Sequence, residues 1–151
     1  MISNATLRRQ HHEAAEEKHR AGRAWRQAGY QLLEIMQLHR AYLTAERNQD
    51  HRAADEVRER AQDAAGGGTA VRSGWVAHSD HLEAEQFKIS LAGGGPAVQI
   101  VGDLGQHKEP DGEGIELQYR DWGTPWIEFR LMNDLERDAV LWFCRQFYWG
   151  G

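Results

Sequence analysis

The run IELQYRDWGTPWIEFRL, from Ile115 to Leu131, decides the fold. Two alternating runs flank a tight centre. Ile115, Leu117 and Tyr119 lead in, and Ile127, Phe129 and Leu131 lead out. Alternation at period two marks strands with one buried face. Between them, Gly123 permits a positive φ, and Pro125 fixes φ and removes a backbone donor. A bend joining two antiparallel strands is therefore expected. Trp122 and Trp126 flank it. Each is costly to leave wet and carries an N–H that needs a partner. They are expected to anchor either the core of this half or a binding surface beside it.

Outward from this centre, the C-terminal half reads as strands. Val71 to Ala77 predicts a first strand, with Gly74 at a bulge. Phe87, Ile89 and Leu91 predict a second, then Ala92 to Pro96 a turn, then Val98 and Ile100 a third. His78 to Gln86 reads as a polar loop, and Gly102 to Gly114 as a mobile, glycine-rich connection. Asn133 with Glu136 has the spacing of a capping box. Leu135, Ala139, Trp142 or Phe143, and Phe147 follow at helical spacing, so Leu135, Phe143 and Phe147 are expected to be buried. The aromatic end Phe147-Tyr148-Trp149 is expected to tuck into the core or meet another molecule.

The first 65 residues are different. They lack proline and are rich in good helix formers. Trp25, Ala28, Leu32, Ile35, His39 and Tyr42 form an amphipathic stripe, widened by Leu33, Met36 and Leu43. Residues 5–24 read as a charged, exposed extension. Asn48 or Asp50 can cap a second helix whose small stripe is Ala53, Val57, Ala61 and Ala64. Gly66-Gly67-Gly68 ends it. Two geometries fit, a helical hairpin turning near Asn48 or one long helix. The hairpin is preferred, because a single rod would extend about 60 Å and need a partner along its length. Self-association through these helices is compatible with either. The expected architecture is α+β: a helical arm or hairpin over residues 1–65, then residues 66–151 as an antiparallel four- or five-stranded sheet packed by one C-terminal helix.

With 151 residues, 40% hydrophobic and 27% charged, the chain is sized for one ordinary domain. No apolar run reaches the length of about 20 residues that spans a bilayer. No apolar segment at the N-terminus suggests a secretory signal, and the single Cys144 fits a reducing cytoplasm. Charge is uneven. Residues 1–65 carry 11 Lys and Arg against 10 Asp and Glu, or +1; residues 66–151 carry 7 against 13, or −6. An acidic second half argues against tracking phosphates and suits a basic partner.

Reactive constellations are weak. His78-x-x-His81 has ligand residue types, but nothing nearby completes a metal set, and a solvated loop accounts for it and for His11-His12. The Gly93–Gly95 run lacks a following helix and Lys, so it reads as a hairpin turn. Glu116 and Glu128 fall opposite the apolar positions and so on an exposed face. Cys144 reads as a small buried hydrophobe. No nucleophile, base and orienter can be argued from spacing. No catalytic residue, metal or cofactor is expected.

The blocks VRSGW, GGPAVQIVGDL, DWGTPW and FCRQFYWGG, within Val71 to Gly151, resemble a small uncharacterised family of proteobacterial phage and prophage proteins. That resemblance carries no catalytic residues. It implies a phage accessory protein in a bacterial host cytoplasm and, by analogy, an anti-CRISPR-like inhibitor that occludes a host defence complex without catalysis. Such a protein would bind through Trp122, Trp126, Asp121, Arg120, Glu128, Glu116, Tyr148 and Trp149, with no membrane or direct nucleic-acid contact. Two other functions fit the residues: an oligomeric sponge for a nucleotide immune signal, using Arg72, Arg120 or Arg130, and a phage assembly factor.

Overall fold

The computed structural model describes residues 3–5, 8, 22–73, 84–93 and 95–150. Helices α1 (Gly22–Arg47) and α2 (His51–Asp63) come first. Strands β1 (Gly68–Ser73), β2 (Ala84–Ala92), β3 (Ala97–Asp103), β4 (Glu116–Arg120) and β5 (Ile127–Phe129) follow, and α3 (Asp134–Cys144) closes the chain. The strands form one antiparallel sheet in the order β1-β2-β3-β4-β5. The protein is α+β, as the periodicities predict.

The two helices form a hairpin. Gln49 adopts φ 53°, and the Asp50 N–H reaches back to the Ala45 carbonyl at 2.9 Å, which closes α1 with a left-handed turn. Asp50 then caps α2 by accepting from the Ala53 N–H at 3.1 Å. The bend in the Ile115–Leu131 run is equally local. Gly123 takes φ 76°, the Thr124 N–H donates to the Asp121 carbonyl at 3.1 Å, and the Asp121 N–H donates to Thr124 Oγ1 at 3.0 Å.

One core unites these parts. Ala24, Ala28, Leu32 and Ile35 of α1 pack on Ile89, Val98, Ile100, Leu117 and Tyr119 of the sheet, with Val140 and Phe143 of α3. Burying each large apolar side chain contributes about 1.5–3 kcal/mol. The helical hairpin is thus a layer over the sheet rather than a free arm.

Several expectations are corrected. On α1 the buried line runs through Ala24, Ala28, Leu32, Ile35, Leu38 and Ala45, while Trp25, Leu33 and Leu43 are exposed. Alanines let the helix approach the sheet closely, and Trp25 leans instead on Phe129 at the sheet edge, 6.2 Å between ring centres. On α2 the expected Val57 and Ala61 are buried, but Ala54 joins them in place of Ala53, which is half-buried like Ala64. Leu135 is 73% exposed; the whole start of α3 from Met132 faces solvent, and burial begins at Ala139. β1 begins at Gly68, because the Gly67 N–H donates to the Ser90 carbonyl at 3.0 Å and starts the pairing early. Residues 102–114 are built rather than open: Gly102 and Asp103 belong to β3, Leu104 bridges Pro110, and two short 3-10 turns follow. Gly74, His11-His12, His78-x-x-His81 and most of the expected extension over residues 5–24 lie outside the described residues.

Candidate functional site: the bare face of the sheet

Among the described residues, helices cover one face of the sheet and no element lies over the other. The other carries the alternate residues of every strand, and the register aligns them in rows. Arg72, Gln86 and Asp103 form one row; Ala70, Lys88, Val101 and Glu116 the next; Ser90, Gln99, Gln118 and Glu128 a third; Ala97 and Arg120 a fourth. This face is dished, enclosing a hollow of about 740 Å³.

Its side chains are held in place. Arg72 donates to Gln86 Oε1, and Gln86 Nε2 to Asp103 Oδ1 at 3.5 Å. Gln99, 8% exposed, donates from Nε2 to Gln118 Oε1 at 2.8 Å, and Gln118 Nε2 donates to Glu116 Oε2 at 2.8 Å. The Glu116 carboxylate polarises this relay of amides. At one end the Arg120 guanidinium lies over the Trp126 ring, 4.4 Å from its centre.

The face itself is balanced, with Arg72, Lys88 and Arg120 against Asp103, Glu116 and Glu128. Beside it the β3–β4 connection adds exposed Glu109, Asp111 and Glu113 against Lys108. That connection is fixed. The Gly105 N–H donates to the Glu109 carbonyl at 2.7 Å, Asp111 accepts from the Glu113 N–H at 3.1 Å, and Arg145 donates to the Pro110 carbonyl at 3.2 Å. A rigid acidic rim thus borders a polar dish.

The structure sorts the sequence candidates. Trp126, Arg120, Glu116 and Glu128 meet on the bare face. Trp122, 79% exposed, lies at its end; a Cβ on Gly95 would sit 3.6 Å from its Nε1, so the indole leans over the β2–β3 turn. Asp121 is 6% exposed, and Arg23 of α1 engages both of its oxygens. That carboxylate is structural and out of a partner's reach. Trp149 is also a core residue: it packs on Phe87, 4.9 Å between ring centres, and donates from Nε1 to the Cys144 carbonyl at 2.9 Å. Tyr148 turns outward. Arg72 and Arg120 stand at opposite ends of β3, so within one copy they do not converge with each other.

The glutamine relay, Lys88, Asp103 and the rim carboxylates were not among the candidates. The polar alternate positions of the strands were the available signal, as was the run from Asp103 to Glu116, with five acids and one Lys.

Among the described residues no cluster of His, Cys, Asp and Glu could hold a metal ion, and no helix is long and apolar enough to cross a membrane. Burial pushes the Cys144 thiol far above its ordinary range, which removes its nucleophilic form. No protein-family model, curated protein or solved structure matches the chain.

Proposed function

We propose that the protein is a non-catalytic binding module that occludes a basic groove on a protein partner through the bare sheet face and its acidic rim. The observation that carries this reading is the rim itself: Asp103, Glu109, Asp111, Glu113 and Glu116 are all exposed, none has an ion pair among the described residues, Asp103 and Glu116 line the dished surface, and the fixed β3–β4 connection carries the other three between them. A carboxylate array presented this way competes with phosphates for a cationic groove. Trp126 and Trp122 supply aromatic anchors at the far end.

The resemblance to phage and prophage proteins gives the reading its setting. The partner is a nucleic-acid-binding effector of host defence, and inhibition is anti-CRISPR-like. Pull-down from a host with intact defence loci would recover such an effector with the wild-type chain and not with a Glu113→Lys, Glu116→Lys variant of unchanged melting temperature. Recovery of nothing by the wild type at physiological salt overturns the reading.

A further inference from the structure

We propose that copies of this chain also stack head to tail, the outer face of α1 in one copy lying in the bare sheet face of the next. The inference rests on the reading of that face as a docking surface and names a second partner for it.

The α1 outer face is apolar and cationic. Trp25, Tyr30, Leu33 and Leu43 are exposed on it. Arg26, Arg40 and Arg47 have no carboxylate partner among the described residues. The two acids of the helix are turned to α2: Glu34 lines the groove shared with Arg60, and Glu46 acts on Arg58. Large exposed apolar side chains beside these cations mark a surface that takes a partner with apolar side chains edged by carboxylates.

The same molecule presents such a surface. The dish is mixed: Val101, Ala70 and Trp126 stand in its lining among Arg72, Lys88 and the glutamines. Around them stand the carboxylates of Asp103, Glu116 and Glu128 and of the acidic rim, none of them in an ion pair among the described residues. A helix is convex and the dish concave, and a helix laid on a sheet face is how layered domains bury both. Stacking would complete a three-layer arrangement, helices on both faces of the sheet.

Two α1 helices facing each other across a two-fold axis are disfavoured. An antiparallel pair centred near Leu33 brings Arg26 of one copy beside Arg40 of the other, and like charges at an interface repel. The favoured contact joins two different surfaces, and such contacts form rings or open rows rather than closed dimers. Stacking covers the face that would engage the basic partner, so self-association and partner binding compete.

Sedimentation velocity of the purified full chain tests this without any partner. The mean mass is expected to rise with concentration at low salt and to fall back at high salt. Arg26→Glu with Arg40→Glu, and separately Glu113→Lys with Glu116→Lys, should each weaken association at least about tenfold. An equal mixture of the two variants should re-associate, because each supplies the surface the other has reversed. A wild type that stays monomeric at every concentration in low salt overturns the proposal. So does a mixture that fails to re-associate while both variants melt like the wild type, or a mass that stops at two and grows firmer with Arg26→Glu. The pull-down is run with dilute bait at physiological salt, where stacking is weakest, so the two readings fail separately.

Discussion

Arg23, in the first turn of α1, grips Asp121, 98 positions later, through Nε at 3.1 Å and a second nitrogen at 3.2 Å. The forked geometry fastens the helical layer to the bend between β4 and β5, at the edge of the sheet. Asp121 also accepts from the Trp122 N–H at 2.8 Å, so one carboxylate sets both the turn and the helix that crosses it.

Asp121→Ala should therefore cost more than a surface ion pair. Two bonds from Arg23 and one backbone donor lose their acceptor, and the expected loss is about 1–3 kcal/mol. Arg23→Ala should cost less, because the arginine is largely exposed and solvent screens it. Urea denaturation of both variants checks the order; equal losses would contradict it.

Gly102 is a packing glycine. A Cβ there would meet the Phe87 ring at 2.7 Å and 2.8 Å, and Phe87 is itself pressed against Trp149. Gly102→Ala is expected to destabilise by about 1–3 kcal/mol through overpacking. A melting temperature equal to that of the wild type would contradict this.

His39 stacks on Trp142, 5.4 Å between ring centres, and burial lowers its pKa, with Asp138 pulling weakly the other way. A histidine held below its ordinary value takes its proton more readily in the unfolded chain. Its contribution is therefore absent above about pH 6.5 and becomes a loss of stability as pH falls below that. His39→Gln should flatten the acid side of the stability profile; a profile unchanged between about pH 5.5 and about pH 7.5 would count against it.

Cys144 is fully buried, with its thiol pushed far up in pKa. Thiol reagents are expected to label it only at the rate of unfolding, and promptly in denaturant. Stoichiometric labelling of the folded chain would show that α3 opens on its own.

Leu135 and Phe143 share a helix but not an environment. Leu135→Ser should leave stability within about 0.5 kcal/mol, whereas Phe143→Ala should cost about 3–5 kcal/mol. Thermal melts of the two variants decide this.

Periodicity revealed the elements and, on the strands, which side chains they bury; on the helices it revealed only part of the buried line. The Ile115–Leu131 strands, the Gly123 bend and the Asn133 cap are local, and local chemistry was enough to read them; Asn133 Oδ1 does accept from the Glu136 N–H at 2.9 Å. The orientation of α1 was not local. Its apolar residues span more than one face, and only contact with the sheet selects the alanine line over Trp25 and Leu43. For the same reason the candidate site was half legible. Alternation put Glu116 and Glu128 on the uncovered face. Nothing near Asp121 in sequence announced that Arg23 would claim it, and nothing near Trp149 announced that Phe87 would.

That last pair bears on how the protein is made. Phe87 lies on β2, among the early strands, while Trp149 leaves a ribosome only after β3, β4, β5 and α3. The ring that seals this part of the interior is withheld until all of those elements have been made. Until then the nascent strands keep an apolar flank open to solvent, and a holding chaperone would find its binding surface there.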